Sequence, residues 1–104
     1  MRVRVCGAGD VPPGTMAGFR AGGRDLLVLN EGGRYHVVDD TCTHSGASLA
    51  AGALDGCTVR CGWHGAEFDC TTGRLSRFPA RIPDLGSYPA SEDAGGVFAD
   101  LPDL

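Results

Sequence analysis

Cys42-Thr43-His44 is followed, after sixteen residues, by Cys61-Gly62-Trp63-His64. No other part of the chain carries as much chemical information. Two Cys–His pairs, each on a short segment of its own, can close around one metal centre. Thiolate sulfur and neutral imidazole suit both zinc and iron–sulfur chemistry, so residue type alone leaves both open. Spacing separates them better. Structural zinc sites tend to pair Cys with Cys and His with His along the chain. Here each arm supplies one Cys and one His, with a single residue between them in the first arm. That suits a binuclear centre whose irons need different ligand sets, Cys42 and Cys61 on one, His44 and His64 on the other.

The flanks add to this. Cys42-Thr43-His44-Ser45-Gly46, and Cys61-Gly62-Trp63-His64-Gly65-Ala66-Glu67-Phe68-Asp69 followed by Thr72-Gly73, resemble the two cluster loops of Rieske ferredoxins. More weakly, the resemblance extends over nearly the whole chain, to Tyr88-Pro89 and Val97-Phe98. One departure is Gly62, where the family often has Pro; it removes no ligand. The resemblance implies one [2Fe–2S] cluster held by Cys42, His44, Cys61 and His64, with a zinc-bound module as the alternative metal site.

Length and composition set bounds. A chain of 104 residues is expected to be a single domain burying roughly two-thirds of its unfolded surface, a modest core that a metal staple would support. The sequence has no apolar run long enough to span a bilayer. Met1-Arg2-Val3-Arg4-Val5 lacks the apolar segment of a signal peptide, so a cytoplasmic protein is expected. Five Cys cannot form a complete disulfide framework. With two assigned as ligands, Cys6, Cys57 and Cys70 are expected to be free thiols in a reducing compartment, Cys6 as an inert core residue. A net charge of −4 without any Lys/Arg block argues against nucleic acid and fits docking to a basic face of a protein partner.

Along the chain, Val3 and Val5 alternate with Arg2, Arg4 and Cys6, a first strand with one apolar face. Met16 to Arg20 and Asp25 to Asn30 flank Ala21-Gly22-Gly23-Arg24, a hairpin turn. Leu26 to Leu29 is a continuous apolar run, expected to be covered on both sides. Glu31-Gly32-Gly33-Arg34 is a second turn, and Tyr35 to Asp39 leads into the first arm. His36, six residues before Cys42, reads as an ordinary strand histidine. The small residues from Ser45 to Gly52 read as a loop wrapped close to the cluster rather than a helical turn. Asp55-Gly56 turns the chain, Thr58 to Arg60 and Glu67 to Cys70 are short strands, and Thr71-Thr72-Gly73-Arg74 turns it again. Cys57 reads as a bystander. Ser87 to Ser91 and Val97 to Asp100 are the last two strands. No segment has a sustained helical period. The expected fold is all-β, of short antiparallel strands, with a cluster-binding subdomain over roughly 40–74 inserted between sheet layers built from 1–39 and 75–104.

The resemblance implies more. Phe78-Pro79-Ala80 is similar to the proline-containing third loop that covers the cluster in this family. High-potential respiratory members carry a disulfide clamp between the loops, at positions matching Ala47 and Trp63, and hydroxyl donors at positions matching Ala66 and Phe68. All four are lacking, which points to the low-potential branch. Trp63 either shields the cluster or packs in place of the clamp. The function implied is a one-electron carrier between a flavin-dependent reductase and a terminal ring-hydroxylating oxygenase, not itself an enzyme and a monomer. The alternative is a small subunit of a nitrite reductase-type complex. A catalytic oxygenase would need a separate two-His-one-carboxylate iron site, and beyond the ligands only His36 remains.

Overall fold

The computed structural model describes residues 1–63 and 65–102. His64 therefore lies outside the described residues. The described chain forms eleven strands in three antiparallel sheets, bearing out the all-β expectation.

The middle sheet begins with β2 (Met16–Ala21) and β3 (Arg24–Glu31), with Ala21 paired to Arg24. That leaves a two-residue turn, Gly22-Gly23, with φ of 58° and 76°. Both positions are left-handed, which suits the twist of a tight hairpin and favours glycine. β4 (Arg34–Asp39) pairs with β3, and β9 (Ser87–Tyr88) closes the sheet against β4.

β3 is the partition of the molecule. Leu26, Leu27, Val28 and Leu29 are all fully buried, because both faces of this strand are covered. Leu27 and Leu29 pack with Cys42, Leu49, Val59, Cys61 and Phe68. Leu26 and Val28 face the other way, toward Val5, Cys6, Val97 and Ala99. A strand covered on both faces reads as an unbroken apolar run.

The second layer joins the chain ends: β1 (Arg2–Gly7), β11 (Gly96–Asp100) and β10 (Ala90–Asp93), in the order β1-β11-β10. Its first strand departs from simple alternation. The register shifts between Arg4 and Cys6, so adjacent Val5 and Cys6 are both buried, as a bulge allows. Burial, and then the charge of Asp10, push the Cys6 thiol pKa up, in keeping with an inert core residue. The expected strand from Ser87 to Ser91 is two strands. Pro89 has no N–H to offer a ladder, and the chain changes sheets there, Tyr88 pairing with Val37 and Ala90 with Ala99.

The third sheet is small: β5 (Ala53–Asp55), β6 (Thr58–Arg60), β7 (Glu67–Asp69) and β8 (Leu75–Arg77). β5 and β8 add to the strands expected from sequence. The small-residue stretch before β5 is not wholly a loop, since Leu49–Ala51 form one turn of 3-10 helix. The turn is set by Asp40, whose carboxylate accepts from Ser48 Oγ at 2.6 Å and from the Ala50 N–H at 2.9 Å. A Cβ on Gly52, which ends the turn, would overlap the Arg60 carbonyl oxygen.

The free-thiol expectation for Cys57 and Cys70 is overturned: they form a disulfide, with Cα atoms 5.1 Å apart. The register of β6 on β7 explains it. Thr58 pairs with Asp69, so Cys57 and Cys70 are the next pair outward, and the Cys70 N–H donates to the Cys57 carbonyl at 2.8 Å.

Candidate metal centre

Two loops meet at the end of the small sheet opposite this disulfide. The first follows β4. The Cys42 N–H donates to Ala47 O at 2.8 Å, and the Gly46 N–H returns to Cys42 O at 2.9 Å. The loop is therefore a closed turn, entered and left through the Thr41–Ser48 bridge. The second joins β6 to β7. The Cys61 N–H donates to Ala66 O, and the Gly65 N–H to Trp63 O, both at 2.8 Å. Each loop thus fixes its cysteine by the backbone at its base.

Cys42 and Cys61 are both 1% exposed and unpaired in any disulfide. The two sulfurs lie close enough for Cys61 to influence the ionisation of Cys42. Burial works to raise the Cys42 pKa. Against it, the backbone N–H groups of Ser45 and His44, the Ser45 hydroxyl and Cys61 act on the sulfur and carry it below the ordinary cysteine value. A sulfur surrounded by donors is disposed to be a thiolate, the form that binds metal. Ser45 Oγ also lies 3.6 Å from Cys61 Sγ and accepts from the Ala47 N–H at 3.3 Å. One hydroxyl thereby serves both cysteines.

His44 is exposed and packs its ring against Phe78, with centroids 4.5 Å apart. In the Phe78-Pro79-Ala80 segment it is Phe78 that meets a candidate ligand, while Pro79 and Ala80 are exposed. Pro83 ties the same region to the first loop by accepting from Thr43 Oγ1 at 2.6 Å. Trp63 is 61% exposed. Its indole stands out from the surface, which overturns packing in place of an interloop clamp.

The structure thus brings Cys42, His44 and Cys61 to one end of the small sheet, while His64 lies outside the described residues. Sequence reasoning missed Ser45, whose hydroxyl aims depend on the turn, and Asp40, whose carboxylate shapes the chain after it. The donor chemistry fits an iron–sulfur cluster: paired buried sulfurs, hydrogen-bond donors around them and an imidazole at the rim.

Residues 1–89 match the model of the Rieske [2Fe-2S] domain. The chain belongs to the Rieske family. It carries one Rieske-type [2Fe–2S] cluster. Ferredoxin CarAc of Metapseudomonas resinovorans is 37% identical over 97 residues, covering 92% of this chain and 90% of that protein. The ferredoxin component of biphenyl 2,3-dioxygenase from Rhodococcus jostii (strain RHA1) is 35% identical over 98 residues, covering 94% and 91%. Among solved structures, the Sphingomonas yanoikuyae B1 ferredoxin superposes with a TM-score of 0.87 at 34% identity, covering 95% of this chain and 97% of that one. The complex of reduced oxygenase and oxidized ferredoxin in carbazole 1,9a-dioxygenase contains a chain with a TM-score of 0.84 at 35% identity, covering 94% and 91%. This Rieske chain is accordingly an electron carrier of the ferredoxin-component type, and the nitrite reductase subunit and zinc module readings are not favoured.

Proposed function

We propose that Cys42 and Cys61 hold one iron of the cluster and His44 and His64 the other, and that the chain carries electrons from a flavin-dependent reductase to a terminal ring-hydroxylating oxygenase. The observation that carries this reading is the placement of an exposed His44 above two buried cysteines on adjoining loops. When bound, the cluster supplies a one-electron couple, raised relative to four-thiolate ferredoxins by its imidazole ligands. The chain's residues do the rest. Leu27, Leu29 and Phe68 exclude water beneath the sulfurs, which bears on the potential. Ser45 and the loop N–H groups donate to the sulfurs. His44 places one edge of the site at the surface, where a partner can approach, and Phe78 fixes its ring.

Residues of roughly 40–74 act in this reading as the cluster-carrying part, set on layers from 1–39 and 75–104. No helix among the described residues is long and apolar enough to cross a membrane, and a cytoplasmic site of action fits the reductase and oxygenase partners. The net charge of −4 suits docking to basic partner faces.

Turnover reconstituted from a flavin-dependent reductase, a ring-hydroxylating oxygenase and an aromatic substrate tests the role. Product formation should require this chain and should weaken as salt screens docking. Isolation only as a tight complex with a large reductase subunit would contradict a diffusing carrier.

A further inference from the structure

At the other end of the small sheet, four potential metal donors come together from four separate segments. Glu31 ends β3, His36 lies on β4, Cys57 sits in the β5–β6 turn and Cys70 follows β7. One ligand atom from each lies within 4.8 Å of all the others. His36 Nε2 meets Glu31 Oε1 at 3.0 Å. Cys70 is fully buried, and the side chains of His36 and Glu31 are 19% and 43% exposed. The group is thus closed beneath by Cys70 and reached from solvent on the Glu31 side. It is separate from the cluster site: Cys57 and Cys61 flank β6, about 13 Å apart along an extended strand.

We propose that Glu31, His36, Cys57 and Cys70 form a second metal site, for Zn2+, that opens when the Cys57–Cys70 disulfide is reduced. Two sulfurs, one imidazole and one carboxylate make a four-donor set of the kind zinc takes tetrahedrally, whereas Mg2+ and Ca2+ require mostly oxygen. While the sulfurs are bonded to each other they cannot serve as two thiolate ligands. A protein or small-molecule dithiol passes two electrons to the S–S bond, which breaks. The dithiol leaves as its own disulfide, and its two protons go to Cys57 and Cys70. Zn2+ then replaces these two thiol protons, which are released to solvent. Zinc takes over from the covalent bond as the tie between the β5–β6 turn and the end of β7. It adds β4, through His36, to that tie. The sheet that bears Cys61 stays stapled in both thiol states.

The test uses the holoprotein, with the visible spectrum of the cluster followed throughout. One portion is treated with a phosphine reductant and one is left untreated. Each receives one equivalent of Zn2+ and is then desalted for zinc and iron analysis. The expected result is about one zinc per chain after reduction and less than a tenth of that without it, with iron unchanged. Zinc K-edge absorption should show two sulfurs at about 2.3 Å and two nitrogen or oxygen ligands at about 2.0–2.2 Å. Cys57→Ser should abolish uptake. Because that variant also loses the disulfide, His36→Gln is the second arm. It leaves both cysteines in place and should weaken zinc binding at least about tenfold, since even residues that merely support a metal ligand cost that much. Equal uptake with and without reduction would overturn the proposal. So would a zinc shell without sulfur, zinc gained only as iron is lost, or unchanged affinity in His36→Gln.

Discussion

The Ser45 hydroxyl stands 3.6 Å from the Cys61 sulfur. With Cys61 as a metal-bound thiolate, the hydroxyl is the donor, and its donation favours the more negative, reduced state. The positions matching the hydroxyl donors of high-potential relatives are Ala66 and Phe68, so Ser45 is a side-chain donor those two do not replace. Hydrogen bonds to charged groups are worth about 1.5–3 kcal/mol, and about 59 mV corresponds to a tenfold change for a one-electron couple.

Ser45→Ala should therefore lower the potential by some tens of millivolts, while Ala66→Ser and Phe68→Tyr should raise it. The wild type should lie near roughly −150 mV rather than +300 mV. Protein-film voltammetry on the four proteins checks the order. A Ser45→Ala potential equal to or above wild type would contradict the assignment of this hydroxyl as a donor.

Cys61 and Cys6 give opposite outcomes on substitution. Cys61 lies in the core between β3 and the small sheet, and Cys6 in the core on the far side of β3. On the proposed ligand set, Cys61→Ser removes a ligand from a site that also ties two loops together and should abolish cluster assembly. Cys6→Ser should retain full iron and sulfide, with a modest loss of stability from placing a hydroxyl in an apolar site. Iron and acid-labile sulfide per chain, measured on anaerobically purified variants, distinguish the two.

The turn after β7 carries a pH dependence. The Thr71 hydroxyl is the main influence holding the Asp69 carboxyl below its usual value; burial opposes it, and the N–H groups of Thr71 and Thr72 add to it. Those N–H groups donate to Oδ1 at 2.8 and 3.1 Å. A carboxyl whose folded pKa is depressed contributes stability that is complete above its unfolded value, about 3.9. That stability is lost as pH falls through the lower folded value. Because these hydrogen bonds are solvent-exposed, Asp69→Ala should cost only about 0.5–1.5 kcal/mol at neutral pH and flatten the acid side of the stability profile. Urea midpoints followed by circular dichroism from about pH 6 to pH 2 read this, and identical acid slopes in variant and wild type would contradict it.

The chemistry of the metal centre was legible because its ligand types and spacing are local properties of the chain. The Gly-Gly turns and the Leu26–Leu29 run were legible for the same reason, since each states its own geometry. β5 and β8 were not, because Ala53-Leu54-Asp55 and Leu75-Ser76-Arg77 are too short to display a period. The strand break at Pro89 required knowing that the two halves pair with different sheets. The Cys57–Cys70 bond, between residues 13 apart, follows from the register of two three-residue strands. Once Thr58 to Arg60 and Glu67 to Asp69 are laid antiparallel, these cysteines are the next pair outward. Placing Glu31 and His36 beside them required the packing of one sheet on another, which no local pattern encodes.

In the proposed ligand set, His44 and His64 ligate the same cluster that Cys42 and Cys61 hold. Pulsed EPR of the reduced protein, grown with 15N-labelled histidine, tests it most directly. Two strongly coupled histidine nitrogens are predicted, unchanged in His36→Gln, with one signal lost or altered in His44→Cys. A reduced spectrum without histidine couplings, or couplings that vanish in His36→Gln, would contradict the account.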